Sequence, residues 1–376
     1  MLKVGSDFSG VGAFNQSLMR LGVSFEEVFA CDMDKYARDT FIHNYGEPKY
    51  YPTNVYDREI PSESLDIYMT SPPCQAFSLA GKRLGKDDKR GILFFNSHEF
   101  IKVNQPRFFI FENVKGLLSD DGGKTFQEWI NMLGGKSVNG LPVLFPHEDS
   151  VPYHLYWKVL NAKHHGVPQN RERVFLIGIR DDNDNQFQFP REEYLNKRLK
   201  DVLDGDVDDK YFLSEHTVDK LIAYDQKQKE NGNGFGAKFH DENGTMSALK
   251  VGGGGCDDLV KIKSATSKGY EEATEGDSIN FSVPNSETRI RWREDGNSPC
   301  LHTQLKDIDF NEKRGQSAIF INNEYKIRRL TPRECFRLMD FPDTFTWKVS
   351  DSQAYKQAGN SIVVNVLYKI LKQLPL

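Results

Sequence analysis

Hydrophobic and polar positions alternate along the first half of the chain in a way that predicts an α/β fold. Short apolar runs, which predict strands, are separated by longer amphipathic stretches, which predict helices. The strands are expected at residues 2–5, 27–31, 65–70 and 108–111. Polar or glycine-rich residues follow each run at once, so we expect functional loops at the carboxyl ends of the strands. The pattern predicts a doubly wound, mostly parallel sheet.

The pattern changes in the second half. Two β-rich runs at 153–160 and 173–180, joined by a segment with Gly166 and Pro168, predict an antiparallel pair. Beyond about residue 181 the chain becomes polar and glycine-rich, as in "VGGGGCDD", which predicts a second, smaller, loop-rich domain. We therefore expect a first domain at 1–183, a second domain at 184–325, and a C-terminal segment at 326–376 that returns to the first.

Regular structure is expected again near the C-terminus. Thr331, Pro332 and Glu334 form a capping box with proline at the first helical position, so a helix is expected to start there. Apolar residues then recur at helical spacing and predict a terminal helix packed on the core; they are Ile362, Val363, Val366, Leu367, Ile370 and Leu371.

Composition narrows the class of protein. The chain has 376 residues, enough for a large core, and its formal charge of -5 argues mildly against a nucleic-acid partner. A basic groove can still occur in an acidic chain. No run of about 18 apolar residues occurs, so no membrane span is expected. The five scattered cysteines lack zinc spacing, which favours a reducing cytoplasm, free thiols and no metal.

A glycine-containing turn, "DFSGVGAF", follows the first predicted strand at residues 7–14. Glycines there let the backbone approach a ligand at a helix N-terminus, although a turn without a ligand would look the same. Asp32 follows the next strand about 20 residues on, where a carboxylate can accept both ribose hydroxyls. Together these features suggest a cofactor that contains adenosine.

Two further strand ends carry candidate catalytic residues. Cys74 follows Pro72 and Pro73 in "SPPCQAFSLAG"; a lone cysteine is usually an inert small hydrophobe, but this stiff mount suits a nucleophile. Glu112 follows four apolar residues in "RFFIFENV", and a carboxyl with apolar neighbours tends to keep its proton. An exposed cap is the alternative role for Glu112.

Arg171 and Arg173 in "QNRERV" stand two residues apart and would lie on one side of a strand. Two fixed guanidinium groups suit a base edge or a phosphate. A solvated ion pair on an edge strand is the commoner role of such arginines.

The order of these motifs resembles the DNA (cytosine carbon-5) methyltransferase family across nearly the whole chain. The motifs "PPCQAFS", "ENV" and "QNRERV", followed by a long variable region and a final Gly-Asn-Ser, are highly specific in this order. The resemblance implies a Rossmann-like, S-adenosylmethionine-dependent methyltransferase fold with a second, target-recognition domain. It also implies that the Cys74 thiolate adds to carbon 6 of a flipped-out cytosine, that Glu112 contacts N3 and the exocyclic amine, and that Arg173 with Arg171 holds O2.

The resemblance also implies a cofactor site and a DNA-binding surface. Phe8 would pack on the adenine, Gly10 and Gly12 would lie near the methionine part, and Asp32 would hold the ribose. The remaining expected cofactor residues are Ser9, Met33, Asn54, Pro73, Leu93, Asn360 and Ser361. The expected DNA-binding residues are Gln75, Ser78, Lys82, Arg83 and Arg90 near the nucleophile, and Arg289, Arg291 and Arg293 in the second domain.

Three positions depart from the commonest family pattern. Ser6 stands where the first motif usually has aspartate, although Asp7 is adjacent; Met33 replaces a frequent aromatic residue; and Asn54 replaces an aspartate that often reads the adenine amine. An amide oxygen can still accept that hydrogen bond, so the changes bear on affinity more than on activity.

The leading hypothesis is a monomeric, cytoplasmic enzyme of bacterial or phage type that methylates duplex DNA, with a restriction endonuclease of the same specificity as its partner. Methylation of transfer RNA cytosine is an alternative within the family, and a catalytically silent DNA-binding protein is an alternative outside enzymes. A thiol redox enzyme would need a resolving cysteine near Cys74, and the sequence has none there.

Overall fold

The computed structural model describes residues 1–73, 92–183, 185–231, 239–249, 259–263 and 325–376. The chain divides into two compact units. The larger unit comprises Met1–Val207, Glu242–Asp258 and Leu330–Leu376, and the smaller unit comprises Asp208–Asp241 and Leu259–Arg329. The larger unit thus extends beyond residue 183. It also includes Glu242–Asp258, which lies within the region that the sequence assigned to target recognition.

Strands and helices alternate in the first half, as predicted. The strands are β1 (Leu2–Asp7), β2 (Phe25–Cys31), β3 (Ile67–Thr70), β4 (Phe108–Val114), β5 (Ser137–Val138), β6 (Leu141–Pro142), β7 (Tyr153–Asn161), β8 (Gln169–Asn170), β9 (Glu172–Arg180), β10 (Phe239–Asp241), β11 (Met246–Ser247), β12 (Leu259–Lys263) and β13 (Tyr325–Arg329). The helices are α1 (Ala13–Leu21), α2 (Lys35–Tyr45), α3 (Ile92–Asn104), α4 (Lys124–Leu133), α5 (Glu215–Glu230), α6 (Pro332–Leu338), α7 (Asp351–Asn360) and α8 (Val364–Leu371).

The main sheet of the larger unit has the strand order β2-β1-β3-β4-β9-β7-β5-β6. Strands β2, β1, β3 and β4 run parallel, and the predicted pair β7 and β9 is antiparallel. Strand order reverses at β1, because the chain goes to β2 on one side and to β3 on the other. In doubly wound sheets such a switch point opens a crevice at the carboxyl ends of the strands. The loops after β1 and β3 therefore border the crevice where the candidate residues were expected.

Aromatic residues fill the core on one face of this sheet. The rings of Tyr68 and Phe100 stack with centroids 4.1 Å apart, and those of Phe94 and Trp129 stack at 4.2 Å. All four side chains are buried, which ties α3 and α4 to the strands. Because aromatic side chains bury a large area each, this cluster holds the strand ends in a fixed arrangement.

The C-terminal segment returns to the larger unit. The Thr331 side chain accepts a hydrogen bond from the Glu334 N–H, and the Glu334 carboxylate accepts one from the Thr331 N–H, so the predicted capping box starts α6. The final helix α8 packs on α1 and begins at Val364; Ile362 and Val363 therefore precede it. Helix α7 was not expected, because its sequence "DSQAYKQAGN" has few apolar residues.

In the smaller unit, β10 pairs parallel to β12, and β12 pairs antiparallel to β13. An isolated bridge joins Phe212 to Arg328, and the Leu213 N–H donates to the Ile327 carbonyl 2.9 Å away. Helix α5 precedes this small sheet in the chain. The expected base-reading residues Arg289, Arg291 and Arg293 lie outside the described residues.

Candidate active site at the strand ends

Glu112 and Arg173 meet at the carboxyl end of β4. Antiparallel register places Glu112 opposite Phe175 and Val114 opposite Arg173, so the two long side chains can reach each other. Arg173 Nε lies 3.1 Å from Glu112 Oε1, and the side chains are 19% and 10% exposed. Burial raises the pKa of the Glu112 carboxyl, and the nearby guanidinium groups of Arg173 and Arg171 oppose that rise. The pair can therefore offer a proton and a cationic donor side by side.

The segment before Cys74 is hydrogen-bonded to Asn113, the residue that follows Glu112. The Asn113 side-chain amide donates to the Pro72 carbonyl at 3.1 Å, and the Thr70 and Ser97 hydroxyls share a hydrogen bond of 2.8 Å beneath the loop. The residue after Glu112 thus fixes the chain two positions before Cys74. Residues 74–91 lie outside the described residues, and with them Cys74, Gln75, Ser78, Lys82, Arg83 and Arg90.

Arg171 makes different contacts from Arg173. It lies between β8 and β9, so the two-residue strand period on which the sequence analysis relied does not run through it. Its guanidinium donates to the backbone carbonyls of Leu249, Gly359 and Ser361. The structure therefore places Arg173 on Glu112 and Arg171 on the backbone of returning segments.

Asp32 organises the opposite edge of the crevice, after β2. Asp32 Oδ2 accepts the Gly10 N–H and Oδ1 accepts the Asp34 N–H, both at 2.8 Å. Burial raises the pKa of Asp32, while these two backbone donors oppose the rise. Asp34 in turn caps α2, accepting hydrogen bonds from the Tyr36 and Ala37 N–H groups. The loops after β1 and β2 are thus joined through one carboxylate.

Glycine stands at positions 10 and 12 of the first turn for different structural reasons. Gly10 has φ 55°, and a Cβ added there would meet no atom within 4 Å, so space lies open in front of it. Gly12 has φ 84°, and a Cβ there would come 2.2 Å from the Tyr45 ring. Gly10 therefore offers room for a ligand, whereas Gly12 is required by packing against α2.

The other expected cofactor residues differ in backbone conformation, contacts and exposure. Phe8 has a positive φ of 57° and packs on the core, and the Ser9 hydroxyl lies 3.2 Å from that of Tyr51. Asn54 Oδ1 accepts the Tyr56 N–H within its own loop. Exposure differs among the rest: Met33, Pro73 and Asn360 are exposed, Leu93 is half-buried, and Ser361 is buried.

Sequence reasoning missed a buried ion pair beneath the turn. Arg58 Nε lies 3.0 Å from Asp7 Oδ1, and the Tyr68 hydroxyl donates to Asp7 Oδ2 at 2.6 Å. Arg58 also stacks over the Phe100 ring, 4.6 Å from its centroid. The adjacent Ser6 and Asp7 were the available signal, because a charged residue at the end of an apolar strand needs a partner. Nothing in the local sequence of Arg58 indicates that role.

Among the described residues, no group of three or more histidine, cysteine, aspartate or glutamate side chains is placed to hold a metal ion. Across the same residues, no helix has both the length and the apolar character that a membrane crossing requires.

A doubly wound sheet with a glycine turn after β1, a carboxylate after β2 and a glutamate–arginine pair after β4 defines a Rossmann-like methyltransferase fold. The chain belongs to the C-5 cytosine-specific DNA methylase family, whose model matches residues 2–375.

Named relatives agree with this membership. The chain is 32% identical to the orphan methyltransferase M.SPRI of Bacillus phage SPR, over 99% of this chain and 97% of that protein. It is also 32% identical to the type II methyltransferase M.HpaII of Haemophilus parainfluenzae, over 98% and 88%. The crystal structure of S. pombe Dnmt2 methyltransferase shares the fold, with a TM-score of 0.63, 17% identity and complete coverage of both chains.

Proposed function

We propose that this enzyme transfers the methyl group of S-adenosylmethionine to carbon 5 of a cytosine flipped out of duplex DNA, through a covalent adduct with Cys74. The observation that carries the proposal is the pair of buried Glu112 and half-buried Arg173, together with the Asn113 hydrogen bond to Pro72. A base edge needs a proton donor and a cationic donor close together, and the nucleophile must be held at their side.

The residues at the first two strand ends fit S-adenosylmethionine. Each Asp32 oxygen accepts one backbone N–H and keeps a second lone pair that a ribose hydroxyl can use. The open space at Gly10 leaves room for the ligand, and the exposed Met33 side chain stands next to Asp32 to flank the adenine. Asn54 keeps its amide N–H groups, since its oxygen accepts the Tyr56 N–H.

When bound, S-adenosylmethionine supplies an electrophilic methyl group. The Cys74 thiolate adds to cytosine C6, and Glu112 donates a proton or hydrogen bond to N3, so electron density rises at C5. Arg173 holds O2. Transfer of the methyl group to C5 leaves S-adenosylhomocysteine, and N3 returns any proton it took to Glu112. A base then removes the C5 proton; the electron pair reforms the C5–C6 double bond and the Cys74 sulfur leaves as thiolate. Unstacking the base is necessary because C5 and C6 are inaccessible within a duplex.

The residues outside the pair complete the proposal. Lys82, Arg83 and Arg90 would contact DNA phosphates, and the region 184–325 would supply target recognition, including Arg289, Arg291 and Arg293. The relatives include both orphan and type II enzymes, so a partner endonuclease is one of two arrangements the family offers. The family model is that of a DNA methylase, which favours DNA over transfer RNA as the substrate.

The test is sequencing, with carbon-5 methylation readout, of plasmid DNA from cells that express the wild-type chain or Cys74→Ser. We expect methylcytosine within one short motif for the wild type and none for the variant. Cys31→Ser is the matched control. Burial raises the pKa of the Cys31 thiol to about 12, so this thiol is not a nucleophile at neutral pH, and the variant should keep activity. Methylation by Cys74→Ser at a substantial rate would reject the covalent mechanism. Methylation of transfer RNA without methylation of DNA would reject the proposed substrate.

A further inference from the structure

Arg171 joins two chain segments that are distant from it in sequence. Its Nη2 donates to the carbonyls of Gly359 at 3.0 Å and Ser361 at 2.8 Å, and its Nη1 donates to the carbonyl of Leu249 at 3.3 Å. The residue is 3% exposed. Burial lowers the pKa of Arg171 to about 9, so the guanidinium still carries its charge at neutral pH. A charged donor makes stronger hydrogen bonds than a neutral one, so this contact favours one arrangement of both segments.

The strand before Arg171 makes the same connection. Gln169 Nε2 donates to the Leu338 carbonyl at 2.9 Å, which holds the end of α6. Strand β8 pairs in parallel with β11, and the Met246 N–H donates to the Pro168 carbonyl at 2.8 Å. Residues 168–171 therefore contact the C-terminal segment on one side and residues 246–249 on the other.

The two joined segments belong to different predicted sites. The C-terminal end of α7, at 359–361, holds Asn360 and Ser361, which are expected to complete the cofactor pocket. Residues 246–249 belong to the larger unit, although in sequence they fall within the region assigned to target recognition. One buried guanidinium thus contacts the helix end on the predicted cofactor side and a segment that leads into the recognition region.

We infer that Arg171 is a positioning residue that couples the C-terminal end of α7, at 359–361, to the segment at 246–249, so that ordering of one favours ordering of the other. The inference rests on the proposed function where it treats 359–361 as part of the cofactor site. Arg171 then acts on the reaction through these backbone segments and does not contact the cytosine. Binding at one segment must affect the other by the same factor, since coupling free energy is reciprocal.

Hydrogen exchange of the full chain, measured by mass spectrometry with and without S-adenosylhomocysteine, tests this coupling. In the wild type we expect the ligand to slow amide exchange both at 359–363 and at 246–249. In Arg171→Met we expect affinity for the ligand to fall about tenfold, within the usual range of coupling effects, and protection at 246–249 to be lost. Arg171→Lys should be intermediate, because an ammonium is a point charge without the planar fork of arginine.

Arg173→Met is the matched control two residues away. Arg173 contacts Glu112 and the Glu172 carbonyl, so its loss should abolish methyl transfer but leave ligand protection at 246–249 unchanged. Thermal unfolding identifies any variant that fails to fold, and the lysine variant then replaces Arg171→Met in the comparison.

Three results would overturn the inference. In the first, the ligand does not slow amide exchange at 246–249 in the wild type. In the second, the ligand slows exchange there fully in the Arg171 variants. In the third, Arg173→Met loses the protection at 246–249. Failure of the wild type to bind S-adenosylhomocysteine would overturn the cofactor site as well. If the ligand protects both 359–363 and 246–249 as expected but the chain methylates no DNA, the proposed substrate is rejected and the role of Arg171 stands.

Discussion

Replacing Arg58 by methionine measures how much the buried ion pair beneath the first turn contributes to stability. The two side chains are 2% and 0% exposed, with Arg58 Nε 3.0 Å from Asp7 Oδ1. Methionine can fill the space near the Phe100 ring but leaves the carboxylate without its cation. Removing one partner of a buried pair costs about 3–5 kcal/mol of unfolding free energy. At roughly 2–4 °C per kcal/mol, the melting temperature should fall by about 6–20 °C.

The loss should depend on pH. Burial raises the pKa of Asp7 in the folded protein, against the opposing effects of Arg58 and Tyr68. For a carboxyl with a raised folded pKa, the associated stability is fully present below the unfolded value and is lost as pH rises through the folded value. Removing Arg58 raises that pKa further, so the deficit of the variant should be small in acid and should grow toward pH 7.5.

The assay is thermal unfolding of both proteins, followed by circular dichroism, from about pH 5 to 7.5. The double variant Asp7→Asn/Arg58→Met should regain most of the stability, because replacement of both charges removes the unpaired carboxylate. A deficit below about 1 kcal/mol at neutral pH, within the range of ordinary substitutions, would refute the reasoning. A deficit that does not change with pH would refute the part assigned to Asp7 ionisation.

Three other perturbations have expected outcomes. Glu112→Gln should slow single-turnover methyl transfer by about 100-fold or more while calorimetry shows unchanged binding of S-adenosylhomocysteine; an unchanged rate would reject its role as proton donor. Gly12→Ala should lower the urea midpoint well below that of Gly10→Ala, because both have positive φ but only the first adds a clash of 2.2 Å, with Tyr45; equal midpoints would contradict this. Thr331→Ala should cost about 1–2 kcal/mol by loss of the cap, measured by urea unfolding, and an effect near zero would show that the cap is dispensable.

Local sequence was sufficient for the six strands that the apolar and β-rich runs predicted and for one helix start. Apolar runs such as the one that ends at Glu112 predict buried strands, and the capping box at Thr331 predicts the first turn of α6. The raised pKa of Glu112 also follows from its apolar neighbours, and the structure gives the same direction. In each case the signal lies within a few residues of the feature.

Long-range contacts could not be predicted in this way. Asp7 ends β1, whereas Arg58 lies in the segment between α2 and β3, and only the folded chain brings the two side chains to 3.0 Å. Arg171 looks equivalent to Arg173 in "QNRERV", and their contacts differ because the backbone leaves strand geometry between β8 and β9. The pairing of β11 with β8 involves two residues of each strand and leaves no periodic signal.

The packing of α1 against α8 has a consequence for synthesis of the protein. The Ser17 hydroxyl donates to the Val364 carbonyl across 347 positions of sequence, and α1 buries Phe14 and Leu18 in the same region. During translation, α1 emerges first, yet the helix that covers it is made only after residue 364. Until then its apolar face is available to chaperones or to aggregation. The larger unit therefore cannot finish folding while the chain is still being made. Active enzyme should arise only after synthesis of α8.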